Sequence, residues 1–227
     1  MRQRGFFITL EGIDGTGKST QFRRLVRHLR KQRYKVRATR EPGGTPVGEE
    51  VRAMVMAKKD DLCALAELAL FYAARAQHVE TVIRPALERG ELVVSDRFND
   101  CSFVYQGYAR GLGMKAVRLL DRAICGPTQP DLTLVLDLDP RVALERALGR
   151  DAKSGTSRFE AAGLEFQQRA RAGYLALARR EPERVRVIDG GLSKREVEAE
   201  IADVVDEVLR ERSQKPEVRS QNASVGR

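Results

Sequence analysis

The chain has 227 residues, of which 42% are hydrophobic and 32% charged, as is ordinary for a soluble globular protein with one well-buried domain. Its net charge of +9 would suit nucleic acid. However, +3 of that excess lies from Arg210 onward, and no basic run is interleaved with the aromatic residues that single strands stack on, so we expect no nucleic-acid partner. Glu67 interrupts the best apolar run, and only about five apolar residues precede Glu11, so we expect neither a membrane span nor a signal peptide. Three scattered cysteines indicate reduced thiols and a cytoplasmic protein.

The first predicted strand, Phe6 to Leu10, leads into a glycine-rich loop. Residues 12–19 fit the pattern G-x-x-x-x-G-K-S, whose glycines let successive N–H groups surround phosphate oxygens. Lys18 can reach the terminal phosphates of a nucleotide, and the Ser19 hydroxyl suits Mg²⁺. The next residues place apolar side chains on one helix face: Phe22, Leu25, Val26 and Leu29. This strand–loop–helix context predicts a nucleoside triphosphate site rather than a plain tight turn.

Two more predicted strands, 35–39 and 91–95, each end in residues of unusual chemistry. The second strand is followed by the loop REPGGT at 40–45, and the third by Asp96 and Arg97. In a parallel sheet these positions share the carboxyl edge, where ligands bind. Asp96 would support Mg²⁺, with a helix or turn cap as the alternative, and the fork of Arg97 suits a second phosphate group.

Strands and helices alternate along the whole chain, which predicts a three-layer α/β/α fold with a five-stranded parallel sheet. The remaining predicted elements are helices 47–56, 62–89 (kinked or interrupted near its end by Pro85), 102–110, 115–125, 140–150 and 158–179, strands 132–137 and 185–188, and a last helix after the capping box Ser193–Glu196. We expect one P-loop kinase domain over residues 1–212. Within it we expect a mobile lid at about 146–160, and after it a disordered tail at 213–227.

Two groups of residues permit more than one interpretation. Phe71 and Arg75 share a helix face and could recognise a nucleobase, but spacing alone favours a core ring and a surface charge. Several cations surround the polar segment 151–157: Arg146, Arg150, Lys153 and Arg158. They form either a solvated charge run or a lid that closes on a transferring phosphoryl group. His28 and His78 lack metal-ligand spacing and are predicted to be surface or packing residues.

Five stretches together resemble the bacterial thymidylate kinases, which belong to the P-loop nucleoside monophosphate kinases. They are LEGIDGTGKST (10–20), REPGGT (40–45), LFYAARAQHVE (70–80), DRFNDCSFVYQGYARGLG (96–113) and SRFE (157–160). They occur in the family's order and extend the resemblance from about residue 6 to 209. It implies transfer of the γ-phosphoryl group of ATP to dTMP, giving dTDP, with Mg²⁺ as cofactor, in a cytoplasmic homodimer that packs through its long helices.

The resemblance also implies roles for individual residues. The ATP site would comprise Gly12, Ile13, Asp14, Gly15, Thr16, Gly17, Lys18, Ser19, Thr20 and Arg146. The dTMP site would comprise Glu41, Pro42, Phe71, Arg75, Arg97, Cys101, Ser102, Tyr105 and Gln106. The metal would be held by Ser19 and Asp96. The catalytic residues would be Lys18, Asp14, Arg97, Arg150 and Arg158. Asp14 would face the acceptor's 3′-hydroxyl or metal-bound water, and Tyr105 would crowd the place of a ribose 2′-hydroxyl.

The sequence departs from the family at a few positions. Gly15 stands where some of these kinases carry Arg, which assigns the catalytic cations to the lid. Cys101 replaces the usual Ser, and Tyr108-Ala109 replaces the more usual Gly-Gly, changes that would loosen thymine selectivity. Two other functions stay open: a deoxynucleoside kinase, with Glu11 or Glu41 as base, and a nucleotide-binding regulator with weak catalysis.

Overall fold

The computed structural model describes residues 4–57, 62–150 and 158–214. Five strands form a single sheet in the order β2-β3-β1-β4-β5, and every neighbouring pair is parallel. The strands are β1 (Phe6–Glu11), β2 (Val36–Arg40), β3 (Leu92–Asp96), β4 (Leu132–Asp137) and β5 (Val185–Asp189). The predicted parallel sheet is confirmed. Its order places β1 and its glycine-rich loop at the centre, between β3 and β4.

Helices cover both faces of the sheet. They are α1 (Lys18–Lys31), α2 (Pro46–Met56), α3 (Ala64–His78), α4 (Arg84–Glu88), α5 (Asn99–Ser102), α6 (Met114–Ile124), α7 (Pro140–Arg150), α8 (Arg158–Ala161), α9 (Gly163–Arg180) and α10 (Lys194–Gln214). Two π-helical segments, Val79–Ile83 and Phe103–Ala109, follow α3 and α5. Within the described ranges, no helix is both long and apolar enough to cross a membrane.

The alternation of side chains along β1 separates two hydrophobic layers. Ile8 and Leu10 pack on one face among apolar residues of α1 and α10, such as Leu29. Phe7 points to the other face, where it packs with Tyr72 of α3 and residues of α6. Because helices cover both faces of the sheet, nearly every residue of the central strands is buried, and their sequences are nearly continuous apolar runs. The three-layer α/β/α arrangement is therefore confirmed.

Two predicted helices are interrupted in the structure. The helix expected over 62–89 is α3, a π-helical segment and α4 in succession, with Pro85 in the first turn of α4. Proline lacks the N–H that an α-helix interior needs. The π-helical segment, whose turn is wider than that of an α-helix, therefore lies next to the position where an α-helical hydrogen bond is missing. The helix expected over 158–179 divides at Gly163, whose φ of 82° is left-handed.

The last helix begins as predicted but ends later. The Ser193 N–H donates to Glu196 at 2.9 Å and the Glu196 N–H donates to the Ser193 hydroxyl at 3.3 Å, which confirms the capping box. Residues such as Ile201 and Leu209 form a buried stripe that carries α10 to Gln214. The helix thus reaches two residues into the expected tail. Residues 215–227 lie outside the described part of the chain, so the disordered tail stays a prediction.

Candidate active site

The loop between β1 and α1 takes its shape from glycines in left-handed conformations. Gly12, Gly15 and Gly17 have φ angles of 133°, 88° and 93°, which other residues rarely adopt. Gly17 directly precedes α1, so the positive end of that helix faces the loop. The Lys18 amine donates to the carbonyl oxygen of Ile13 at 2.7 Å. The loop thus combines helix-end N–H groups with a cation, as phosphate binding requires.

Gly15 is also the point at which this loop touches α7. A Cβ added to Gly15 would lie only 1.8 Å from the carbonyl oxygen of Ala143. An arginine at this position, which some of these kinases carry, would therefore require α7 to move. The steric reason for glycine here is visible only in three dimensions.

The predicted metal residues meet at the carboxyl edge of the sheet. The Ser19 hydroxyl donates to the Asp96 carboxylate at 3.0 Å, which joins the start of α1 to the end of β3. Within the described residues, no group of three His, Cys, Asp or Glu side chains could hold a metal. Mg²⁺ bound with a nucleotide needs only one or two protein oxygen ligands, because phosphates and water supply the rest. This hard oxygen pair therefore fits Mg²⁺.

A cleft of about 190 Å³ brings the three predicted loops together. Its lining residues are Asp14, Gly15, Gly17, Lys18, Ser19, Arg40, Glu41, Arg52, Asp96 and Arg97. Arg52 was not predicted as a site residue. It lies on α2 between the buried Gly48 and Val55, and its guanidinium donates to the Pro42 carbonyl oxygen at 3.1 Å. A charged residue on the buried face of a helix was the signal that could have identified it.

Arg97 is held in the cleft by both its backbone and its side chain. Its φ of 72° is left-handed, its N–H donates to the Leu10 carbonyl at 3.0 Å, and its carbonyl accepts from the Ser95 hydroxyl at 2.6 Å. Its guanidinium donates to Asp14 at 2.6 Å and to the Tyr174 hydroxyl at 3.2 Å. A strained non-glycine backbone persists only when its surroundings fix it, and it is typical of functional sites.

Glu11 lies fully buried beside Arg97. Its carboxylate accepts from the Phe98 N–H at 2.9 Å and from the Tyr174 hydroxyl at 2.7 Å, and it lies 3.7 Å from the Arg97 guanidinium. Burial raises the pKa of Glu11 to about 7, although Arg97 acts to lower it. The strand pattern alone suggested Glu11 only as a base in a nucleoside kinase, yet here it braces the segment that carries Arg97.

The structure overturns the surface-charge interpretation of Arg75. Its side chain is 1% exposed, and its guanidinium donates to Glu41 at 2.7 Å, to the Ser102 hydroxyl at 3.0 Å and to the Phe98 carbonyl at 3.0 Å. Phe71 lies in the core, with its ring centroid 6.2 Å from that of Phe159. Spacing within one helix could not show that α3 turns this face toward the REPGGT loop and α5.

The chain's relatives are consistent with this geometry. The family model for thymidylate kinase matches residues 10–201. The curated thymidylate kinase of Citrifermentans bemidjiense is 48% identical over 214 residues, covering 92% of this chain and 93% of that protein. The chain belongs to the thymidylate kinase family. The thymidylate kinase of Symbiobacterium thermophilum is 46% identical over 204 residues, covering 89% and 94%. The crystal structure of thymidylate kinase from Ehrlichia chaffeensis superimposes with a TM-score of 0.73 at 32% identity, covering 89% of this chain and 99% of that one.

Four residues that the thymidylate kinase resemblance assigned to the acceptor site lie close to one another after β3. Ser102 and Gln106 are buried, and the Gln106 amide donates to Glu67 at 2.8 Å. The Tyr105 hydroxyl accepts from Arg97 at 3.4 Å. The Cys101 thiol donates to the Phe98 carbonyl oxygen within its own turn at 2.8 Å, and burial raises its pKa to about 12.

The segment predicted as a lid, at about 146–160, is described only at its edges. The Arg146 guanidinium donates to the carbonyl oxygen of Gly190 at 3.3 Å. Arg150 is the last residue of α7 and Arg158 the first of α8, but their side chains lie outside the described part, as do residues 151–157. Phe159 packs edge-on against Tyr105, with ring centroids 5.5 Å apart. The start of α8 therefore lies against the expected acceptor site.

Proposed function

We propose that the chain transfers the γ-phosphoryl group of ATP to the phosphate of dTMP, giving dTDP. The observation that carries this proposal is the position of Asp14 between two cations. Lys18 of the phosphate-binding loop lies 3.8 Å from its carboxylate, and Arg97 after β3 lies 2.6 Å from it. The loop for the donor nucleotide and the arginine for the acceptor phosphate are thus next to each other, and direct transfer between two bound nucleotides requires this proximity.

This reaction needs positioning and charge neutralisation more than a base. The second pKa of a phosphate monoester is about 6, so the attacking oxygen of dTMP is already anionic at neutral pH. Burial, followed by the nearby Arg97, lowers the pKa of Lys18 to about 8. A polyphosphate bound beside Lys18 favours its charged form. Lys18 then neutralises charge on the transferring group.

The residues around the cleft form three groups, which bind the donor ATP, the metal ion and the acceptor dTMP. The backbone of residues 12–20 holds the ATP phosphates, and Arg146 lies by the adenine. Ser19 and Asp96 would hold Mg²⁺, which would supply positive charge to the nucleotide phosphates. Arg97 binds the acceptor phosphate with Arg52 beside it, and must exchange its bond to Asp14 for that phosphate.

The base and sugar of the acceptor occupy the space next to α3 and α5. Phe71 stacks on thymine, and Arg75 bonds its edge. Tyr105 excludes a ribose 2′-hydroxyl, which favours deoxynucleotides. The remaining acceptor contacts come from residues on the neighbouring loop and helix: Glu41, Pro42, Cys101, Ser102 and Gln106.

We also propose the larger organisation that the family implies. Residues 1–212 form one kinase domain in which a lid at about 146–160 closes over the site. Arg150 and Arg158 bring the remaining cations to the transferring phosphoryl group. The enzyme acts as a cytoplasmic homodimer.

A panel of acceptors tests the activity directly. Transfer from ATP with Mg²⁺ is measured to dTMP, to dUMP, to thymidine and to no acceptor, and the products are separated by chromatography. We expect dTDP to form selectively. Phosphorylation of thymidine would instead indicate a deoxynucleoside kinase, and ATP binding without transfer to any acceptor would indicate a regulator.

A further inference from the structure

His78 is fully buried at the end of α3, and the proposed function gives it no role. Its Nδ1 atom lies 2.9 Å from Oε1 of Glu41, and its Nε2 atom lies 2.6 Å from the Thr39 hydroxyl. An ionised carboxylate only accepts hydrogen bonds, so Nδ1 carries a proton and donates to Glu41. The two bonds at opposite sides of the ring fix its rotation and link β2 to α3.

Glu41 in turn fixes Arg75. The second carboxylate oxygen of Glu41 accepts from Nε of Arg75 at 2.7 Å, so each oxygen of this buried carboxylate has its own donor. Two further N–H groups of Arg75 donate to Ser102 and to the Phe98 carbonyl oxygen, each at 3.0 Å. A guanidinium has five N–H groups, so two remain, one on each terminal nitrogen. Their direction is set by the three contacts together, and the Glu41 contact is the charged one among them.

The REPGGT loop rests directly on His78. A Cβ added to Gly44 would lie 2.6 Å from Nε2 of His78 and 2.7 Å from the Thr39 hydroxyl oxygen. The glycine therefore allows the loop to approach the ring closely. His78 therefore joins two elements of the acceptor site. It belongs to α3, the helix that carries Arg75, and it contacts the loop that carries Glu41.

We propose that His78 is a positioning residue for recognition of the acceptor base: it holds Glu41, and Glu41 aims the free donors of Arg75. This inference rests on the proposed function, in which Arg75 bonds the edge of thymine. Thymine carries a carbonyl oxygen at C4 where cytosine carries an amino group. Donors with a fixed direction therefore favour dTMP over dCMP, and donors that can turn favour it less.

Two amide substitutions separate the two nitrogens of the ring. In His78→Asn the amide nitrogen reaches the position of Nδ1 and can still donate to Glu41. In His78→Gln it reaches toward Nε2 and leaves one oxygen of Glu41 without its donor. We expect Gln to raise KM for dTMP at least about tenfold, the effect of losing a hydrogen bond to a charged group. We expect Asn to raise it only about threefold, the effect of losing the neutral bond to Thr39.

Base selectivity is measured on the same proteins by titrating dTMP and dCMP calorimetrically. We expect His78→Gln to reduce the ratio of the two affinities severalfold, with KM for ATP unchanged within about twofold. His28→Gln is the matched control, because His28 is the chain's only other histidine and bonds Asp206 between α1 and α10. That control is expected to change neither dTMP affinity nor selectivity.

Several results would overturn the inference. Equal effects of Asn and Gln would show that the bond to Glu41 does not matter. A parallel loss for ATP and dTMP would show that His78 only supports packing. If His78→Gln does not fold, Thr39→Val removes only the second partner of the ring. It should raise KM for dTMP about threefold, and no change would again exclude the role. If the unsubstituted chain does not phosphorylate dTMP, the proposed function fails, whereas the dTMP and dCMP titrations still report on His78.

Discussion

At the scale of single residues, the burial of Glu11 has a measurable cost. Its pKa rises from an ordinary 4.5 to about 7, mainly because burial disfavours the charged form. Below pH 4.5 the carboxyl group is protonated in both the folded and the unfolded chain. As pH rises toward 7, the unfolded chain releases this proton and the folded chain keeps it, so the free energy of unfolding falls. Above pH 7 the full cost is present.

We therefore expect Glu11→Gln to stabilise the protein more at pH 8 than at pH 5. Glutamine can accept from the Phe98 N–H and donate to the Tyr174 hydroxyl, yet it does not titrate. The difference in unfolding free energy between the two proteins should grow by about 2 kcal/mol between pH 5 and pH 8. Urea unfolding at both pH values measures it. Other titrating groups cancel in the comparison, so a difference independent of pH would contradict the prediction.

The sequence predicted which residues belong to the site better than it predicted which side chains are buried. The glycine-rich loop, Asp96 and Arg97 were placed at one sheet edge because a phosphate site leaves a local pattern. Spacing alone favoured a surface charge for Arg75 and left His78 as either a surface or a packing residue, because burial of a polar side chain depends on partners far along the chain. Glu41 lies 34 residues from Arg75 and 37 from His78. A single sequence contains no periodic signal for such a pairing.

At the scale of elements, contact between the phosphate-binding loop and α7 can be tested with two glycines. Gly15 and Gly17 both have left-handed φ angles, but only Gly15 has backbone where a Cβ would lie, whereas a Cβ at Gly17 meets nothing within 4 Å. Both alanine substitutions incur the conformational cost, about 1–2 kcal/mol. We expect Gly15→Ala to lose about 1–3 kcal/mol more, the usual cost of overpacking.

The measurement is urea unfolding of both variants without nucleotide, so that phosphate contacts do not enter. Gly17→Ala is the control for backbone strain, because it shares the conformation and lacks the close neighbour. Equal losses from the two substitutions would mean that α7 does not lie against the loop. A larger loss from Gly15→Ala would explain why this chain has no arginine inside its phosphate-binding loop.

Element types followed from the sequence because each has a local signature. The strands are short runs rich in β-branched and apolar residues, and the capping box marks the start of α10. The two π-helical segments and the break at Gly163 were not predicted. Such interruptions change the helix by only a fraction of a turn. The spacing of apolar residues over so short a segment cannot distinguish them from a continuous α-helix.

At the scale of the whole molecule, the sequence predicted a parallel sheet but did not determine its strand order. Order β2-β3-β1-β4-β5 is what brings the ends of β1 and β3 together. The register of β1 and β3 also contributes. Because Leu10 pairs with Asp96, the Asp96 carboxylate lies close enough to accept a hydrogen bond from the Ser19 hydroxyl. Alternation of elements specifies the fold class, whereas adjacency depends on long-range packing.

The proposed homodimer has a candidate face on three helices that pack side by side, α2, α3 and α6. Each exposes large apolar side chains: Val47, Met54, Leu65 and Leu119. Leu119 on α6 is 71% exposed, the highest fraction among the exposed large hydrophobic residues of the described chain. Exposed apolar side chains on neighbouring helices are typical of an interface, and in a twofold interface each residue occurs twice, once from each subunit.

We expect the proposed dimer to become a monomer in Leu119→Arg, without unfolding of the chain. An exposed position tolerates arginine in the single chain, whereas two arginines would be buried without partners in a symmetric interface. Sedimentation velocity at several concentrations measures the mass, and circular dichroism checks the fold. Leu192→Arg is the control, because Leu192 is 41% exposed and precedes α10, which packs on α1 and β5. If Leu119→Arg stays dimeric, the subunits associate through another face; if both variants become monomeric, added charge rather than a specific contact opposes association.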